Sequence, residues 1–178
     1  VTGCEADDVI GALVERTQEF GNHDEVMIVS ADKDFIQLQR YNNVRQFSPM
    51  TKKFIEHSDP VEYLFEHILK GDSGDGVPNV LSPDNTFSEG IRQSPMTKKK
   101  IDTYRVPVDQ LPEVMGEEIY RNYCRNKRMI DLTQTPSNLV EEINKTYEES
   151  KPAHQSKVLN YLIKKRCKML IECAGEFL

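Results

Sequence analysis

Val26-Met27-Ile28-Val29-Ser30-Ala31-Asp32-Lys33-Asp34 decides the reading of the fold. A short continuous apolar run suits a strand covered on both faces, as in a parallel sheet. The acids at Asp32 and Asp34 fall just past the strand's carboxyl end, where open α/β sheets place their ligands. Before the strand, Asp7 to Glu19 reads as an amphipathic helix, with Val9, Ile10, Leu13 and Val14 on one side. Phe20-Gly21-Asn22 supplies its stop. A strand reached after a helix indicates an α/β unit. After the acids, Phe35 to Leu38 reads as a helical turn. Val44–Phe47 and Lys53–Ile55 read as strands joined at Ser48-Pro49-Met50-Thr51.

From residue 60 the pattern turns helical. Asp59 suits an N-cap and Pro60 a first helical position, followed by an apolar face of Val61, Leu64, Phe65, Ile68 and Leu69. Gly71-Asp72-Ser73-Gly74-Asp75-Gly76-Val77-Pro78 is a glycine-dense turn. Residues 80–97 read as irregular, with helices expected at 98–104, 112–127, 137–149 and 154–173. This divides the chain into an α/β part, 1–58, and a helical part, 59–178. Ser48-Pro49-Met50-Thr51-Lys52-Lys53 recurs letter for letter at 94–99 with no third copy, which excludes a solenoid.

The chain has 178 residues, enough for one domain with a real core. No apolar run approaches the roughly 20 residues needed to span a bilayer, so no membrane partner is expected. Cys4, Cys124, Cys167 and Cys173 show no CxxC pairing and suit a reducing cytoplasm. Net charge is −6. Residues 1–80 hold 7 Lys/Arg against 15 Asp/Glu, whereas residues 151–178 hold 6 against 2. An acidic site beside a basic flank suits metal-assisted chemistry on a polyanion, although charge alone favours two plain solvated surfaces.

Seven acids sit in three groups: Glu5-Ala6-Asp7-Asp8, Asp32-Lys33-Asp34 and Asp72-Ser73-Gly74-Asp75. Clustered carboxylates repel, and a fold keeps them mainly when divalent cations neutralise them. Oxygen-only ligands point to Mg²⁺ or Mn²⁺ before Zn²⁺. Each group has a plainer reading. Acids at a helix start are favoured by the dipole and cap free amides. Asp32 and Asp34 in extended backbone point to one side as a metal half-site, or form an Asx turn capping the next helix. Asp72 and Asp75 could mark a plain turn. His23, His57, His67 and His154 are dispersed and read as solvated surface.

Taken together and in this order, the three groups resemble the signatures of the 5′-nuclease family. That family includes flap endonucleases, the 5′-exonuclease domain of bacterial DNA polymerase I and a T-even phage ribonuclease H. Its motifs are an E-A-D-D-like helix start, an S-x-D-x-D-like strand exit and a G-D-x-x-D-G-like hairpin. The phage branch is the nearest in Gln37-Leu38, Val44 to Met50, Ile68 to Asp72, and Asn126 to Leu132 leading to Pro136. The likeness is weakest between 80 and 100.

The resemblance implies a PIN-like core with a mainly parallel sheet, then a helical region with a helix–three-turn–helix element. It implies two Mg²⁺ or Mn²⁺ ions held by Glu5, Asp7, Asp32, Asp34 and Asp75, with Asp8 and Asp72 accessory. Asp7, Asp32 and Asp34 would carry the catalytic role. Lys33, Lys70, Gly71, Ser73, Gly74 and Gly76 would meet DNA, with a monovalent cation at the 71–78 hairpin. The reaction would be phosphodiester hydrolysis between ions roughly 4 Å apart. Implied substrates are RNA–DNA hybrids and 5′-flapped duplex DNA, as in RNA primer removal during replication, with a single-strand-binding protein or sliding clamp as partner. Further strands, two more ligands and a basic arch precede Glu5 in the family, so the expectation is roughly the C-terminal three-fifths of a nuclease. The alternatives are a non-catalytic duplex-binding module and an acidic ion-binding protein unrelated to nucleic acid.

Overall fold

The computed structural model describes residues 1–19, 24–151 and 156–177. They form two compact units, Val1–Asn144 and Lys145–Leu178. In the first unit, helix α1 (Ala6–Arg16) starts after Glu5, whose backbone is extended. The Asp8 carboxylate accepts the Glu5 amide at 3.0 Å, the returning half of a capping box. The helix ends earlier than its periodicity predicts, because Thr17 donates its hydroxyl to the Val14 carbonyl at 2.7 Å. The expected stop at Phe20-Gly21-Asn22 lies outside the described residues.

Strand β1 (Val26–Val29) runs parallel to β2 (Val44–Ser48), with Val26 opposite Val44 and Val29 opposite Phe47. Strand β3 (Lys53–Ile55) returns antiparallel to β2. The sheet, expected to be mainly parallel, is therefore mixed in the order β1-β2-β3. The two-sided burial expected of β1 is also not observed. Ile28 is 5 % exposed, but Met27 and Val29 are 55 % and 62 % exposed. An apolar run contains no alternation that would distinguish one covered face from two. The covered face packs Ile28 and Val44 with Val14 of α1 and with Phe35 and Leu38. The latter two belong to a 3-10 helix, Asp34–Arg40, longer than the turn expected at 35–38.

Helix α2 (Pro60–Lys70) starts as its sequence predicts: Asp59 accepts the Glu62 amide at 2.9 Å and Pro60 opens the helix. Ile68 and Leu69 feed a second core with Val77, Val80, Ile101, Tyr104, Leu111, Met115, Tyr123 and Ile130. The hairpin after α2 closes on a bridge between Asp72 and Val77. No helix follows it directly: α3 begins only at Lys98 and ends at Thr103. Residues 79–97 hold no helix, in keeping with their irregular reading, and α3 falls at the helix expected over 98–104. Side chains there compete for the backbone. Thr86 donates to the Pro83 carbonyl, Ser88 to the Asn85 carbonyl, and the Asn79 carboxamide accepts the Leu81 amide.

Helix α4 (Leu111–Ile130) is interrupted at Gly116 and runs on past the end expected at 127. It is followed by α5 (Ser137–Glu149). In the second unit the single helix expected at 154–173 is two, α6 (Ser156–Lys164) and α7 (Lys168–Glu172). Arg166 between them adopts φ 56°, which no helix interior accommodates. Among the described residues no helix is long and apolar enough to cross a membrane, and all four cysteines are unpaired.

Candidate metal centre

The acids lie on three different local devices. Glu5, Asp7 and Asp8 occupy the start of α1, where the helix dipole stabilises negative charge. Asp8 is already engaged through both oxygens, accepting the Glu5 amide and the Thr135 hydroxyl, each at 3.0 Å. The Glu5 side chain makes the other half of the capping box, accepting the Asp8 amide.

Asp32 and Asp34 follow β1. They are not an extended pair pointing one way. Lys33 between them is helical (φ −76°, ψ −20°), and Asp32 accepts the Asp34 amide at 3.1 Å. This is the Asx turn, with the 3-10 helix starting at Asp34. The turn is held from below by Gln46 of β2, which is 1 % exposed. Its carboxamide donates to the Ser30 carbonyl at 3.1 Å and to the Asp32 carbonyl at 2.5 Å. Gln37, equally buried, donates to the carbonyls of Asp34 and Ile130 and accepts the Leu132 amide. These two glutamines fasten the acidic turn to the sheet and to the end of α4.

Asp72 folds the third group. One carboxylate oxygen accepts the Gly74 amide at 2.7 Å and the Asp75 amide at 3.4 Å. Gly71 lets the chain leave α2 sharply, at φ 68° and ψ −178°. Asn126 of α4, fully buried, secures the hairpin base by donating to the Ile68 and Pro78 carbonyls, each at 2.9 Å.

The three groups converge. Glu5, Asp7, Asp8, Asp34, Asp72 and Asp75 line one cavity of about 220 Å³, backed by Val77, Met129, Ile130 and Leu132. Asp32 does not line it but lies close enough to act on it electrostatically. Burial raises the Asp7 pKa, and the charges of Asp32, Glu5, Asp8 and Asp75 raise it further, in that order. Burial pushes the Asp34 carboxyl up to about 6. His67 opposes that rise, while Asp32, Asp72 and Asp7 add to it. Burial also acts to raise Asp72, but hydrogen bonds from Gly74, His67 and Asp75 prevail and hold it below the usual carboxylate range.

His67, read from sequence as solvated surface, stands inside this cluster. Its side chain is 13 % exposed. Nδ1 lies 3.5 Å from Asp34 and Nε2 3.2 Å from Asp72. It sits on α2 one turn before Gly71, whose amide bonds the His67 carbonyl at 2.8 Å. Spacing along the helix carries no hint of this, because the helix ends between His67 and Asp72 and the turn folds back. Gln46 left a fainter sign, a polar residue at an inward position of a strand. The expected DNA contacts are less gathered. Lys70 pairs with Glu66 at 2.5 Å, while Lys33, Ser73, Gly74 and Gly76 are solvent-facing.

Donor atoms from Asp34, His67 and Asp72 lie within 4.8 Å of one another, a spacing one divalent cation can bridge. The remaining carboxylates of the cavity, drawn together without a neutralising lysine or arginine along its walls, make the same demand for positive charge.

Known proteins resemble the chain along this arrangement. A family model described as "5'-3' exonuclease, N-terminal resolvase-like domain" matches residues 1–66. One described as "T4 RNase H, C terminal" matches residues 59–177. Ribonuclease H of Enterobacteria phage T4 is 33 % identical over 178 residues, covering 97 % of this chain and 58 % of that protein. The 5'-3' exonuclease of Buchnera aphidicola subsp. Schizaphis graminum is 38 % identical over 87 residues, covering 45 % of this chain and 30 % of its own length. Flap endonuclease Xni of Shewanella piezotolerans is 34 % identical over 87 residues, 43 % of this chain and 32 % of its own. The chain thus spans a little over half of the phage relative and about a third of the other two. Models that together span residues 1–177 and overlap at 59–66, with acids from both stretches facing one cavity, make this chain a member of the 5′-nuclease family.

Proposed function

We propose that this chain carries much of the catalytic centre of a divalent-metal-dependent 5′-nuclease, which hydrolyses phosphodiesters of RNA–DNA hybrids and 5′-flapped duplex DNA. The observation that supports this reading most is the meeting of three acid groups, distant in sequence, in one cavity. An uncompensated carboxylate cluster repels a phosphate backbone and has no evident use on a polyanion until cations occupy it. Mg²⁺ or Mn²⁺ would be held by Glu5, Asp7, Asp32, Asp34 and Asp75, with Asp8 and Asp72 orienting their neighbours through the hydrogen bonds described above. When bound, the ions supply charge neutralisation at the scissile phosphate and activation of water.

The residues of the chain do the rest. The Asx turn under Gln46 fixes where Asp32 and Asp34 project. The 71–78 hairpin offers solvent-facing backbone at Ser73, Gly74 and Gly76 to the sugar–phosphate chain, with a monovalent cation as a neutralising partner. Lys33, between Asp32 and Asp34, and Lys70, just before the hairpin, would add positive charge. Recognition would rest on backbone and shape, not on base sequence.

Cleavage of 5′-flap and RNA–DNA hybrid substrates, measured with and without Mg²⁺ or Mn²⁺, tests the proposal. Asp32→Asn should remove cutting and leave duplex binding in place. Cutting that persists in a chelator, or that ignores Asp32→Asn, rejects it. Duplex binding with no cutting by the unmodified chain would replace it with a binding module.

A further inference from the structure

We propose that His67 supplies an imidazole nitrogen to a metal ion shared with Asp34 and Asp72, so that this position is a mixed nitrogen–oxygen site that prefers Mn²⁺ to Mg²⁺. The inference rests on the metal-dependent reading above and deepens it by naming a ligand of a different chemical kind and by moving Asp72 from an orienting role into the ligand set.

Three features of the structure carry it. The His67 ring lies between two carboxylates contributed by separate elements, Asp34 of the 3-10 helix and Asp72 of the hairpin, at 3.5 and 3.2 Å. Its orientation is constrained. The ring packs edge-on against Tyr63 with centroids 5.8 Å apart, and the helix carrying it is pinned at its end by the Asn126 bond to the Ile68 carbonyl. The ligating atoms of the three residues lie within 4.8 Å of one another. Metal–ligand bonds of about 2.1 Å place adjacent donors of an octahedral ion about 3 Å apart and opposite donors about 4.2 Å apart. The observed separations need little closure to meet that geometry. One ring nitrogen would take the ion, leaving the other to donate to a carboxylate oxygen not bound to it, an arrangement that fixes the tautomer and ring plane of metal-bound imidazoles.

The consequence is selectivity. Carboxylate and water ligands suit Mg²⁺, whereas imidazole suits the transition metals. A carboxylate-only centre discriminates weakly between Mg²⁺ and Mn²⁺; a nitrogen donor tilts it towards Mn²⁺.

The test is pulsed electron paramagnetic resonance of the Mn²⁺-loaded chain. Directly ligated imidazole imposes ¹⁴N modulation on the Mn²⁺ echo. The expected result is ¹⁴N modulation that disappears when histidine is replaced by ¹⁵N-histidine, and also disappears in His67→Gln. In calorimetry the Mn²⁺-over-Mg²⁺ affinity ratio should fall about tenfold or more in His67→Gln. The isotope arm needs no mutation and stands even where His67→Gln fails to fold. Bound Mn²⁺ without ¹⁴N modulation, or modulation that survives in folded His67→Gln, overturns the inference and leaves the metal-dependent nuclease standing. Failure to bind Mn²⁺ at all overturns both.

Discussion

Gly71→Ala should be among the most damaging single-methyl changes in the chain, and the structure separates two reasons for it. Gly71 sits at φ 68° and ψ −178°, a region open essentially to glycine, where an L side chain costs on the order of 1–3 kcal/mol. In addition, a Cβ at this position would lie 2.4 Å from the Val77 carbonyl oxygen and 2.6 and 2.7 Å from the Pro78 carbonyl carbon and oxygen. These are backbone atoms and cannot rotate away. The hairpin would have to open by nearly an ångström, weakening the Val77–Asp72 bond at 2.6 Å and the Val80–Leu69 bond at 3.1 Å. Each such bond contributes about 0.5–1.5 kcal/mol net. Alanine returns about 0.4–1 kcal/mol by stiffening the unfolded chain. The balance is a loss of about 2–4 kcal/mol, or roughly 4–16 °C in Tm for a domain of this size. Gly76→Ala is the matched control. Gly76 has φ 74°, but nothing lies within 4 Å of its would-be Cβ. Only the dihedral cost of about 1–2 kcal/mol remains, less the same unfolded-state gain. Thermal unfolding of the two variants by circular dichroism should therefore rank Gly71→Ala well below Gly76→Ala. Equal melting temperatures would refute the close-approach argument and leave backbone conformation as the whole reason for both glycines.

Three further outcomes follow from the site. Asp34 has a folded pKa of about 6 against an ordinary 3.8, so its contribution to stability is fully present below pH 3.8 and is lost as pH rises through 6. In the absence of metal, Asp34→Asn should therefore melt progressively higher than the unmodified chain between pH 4 and pH 7; parallel melting curves across that range would contradict the assignment. Gln46→Leu removes both bonds under the acidic turn and should lower Mn²⁺ affinity by about 10–100-fold in calorimetry, with an unchanged affinity showing that the turn holds itself. Asn126→Ala strips bonds from the buried Ile68 and Pro78 carbonyls and should cost about 1–3 kcal/mol for each left unpaired; Arg125, which also reaches Pro78 at 3.0 Å, favours the lower end, and chemical denaturation reads the value.

Local chemistry explains which parts of the molecule were legible beforehand. The Asp59–Pro60 start of α2 and the turn at 71–78 were readable because caps, proline and glycine act within a few residues. The gathering of acids was readable through the resemblance of the three groups, in their order, to the family's motifs. What escaped reading depends on distant partners. Met27 and Val29 are exposed because of what packs on the sheet, which an apolar run cannot encode. His67 enters the acidic cluster only because the chain reverses at Gly71 and because the 3-10 helix brings Asp34 alongside. Gln46 and Asn126 satisfy carbonyls 14 to 58 positions away. Their amides are chemically unremarkable in sequence, and burial alone reveals their purpose.

The repeated hexapeptide makes the same point from inside one chain. In the first copy Ser48 ends β2 and pairs with Lys53 across a turn in which Lys52 takes φ 55° and the Thr51 amide donates to the Ser48 hydroxyl. In the second copy Thr97 caps α3, and Lys98 and Lys99 lie in its first turn. Identical letters thus yield a hairpin and a helix start. The difference is supplied from outside. β1 and the returning β3 draw the first copy into the sheet, whereas the Ser94 amide donates to Ser82 and its carbonyl accepts from Asn79 in the second. Residues with comparable intrinsic freedom adopt whichever form their long-range partners complete. The paired lysines therefore do not present one common phosphate grip. Lys52 lies in the turn and Lys53 opens β3, Lys98 and Lys99 stand about 100° apart on a helix, and a role on nucleic acid for either pair has to be earned by its own neighbours.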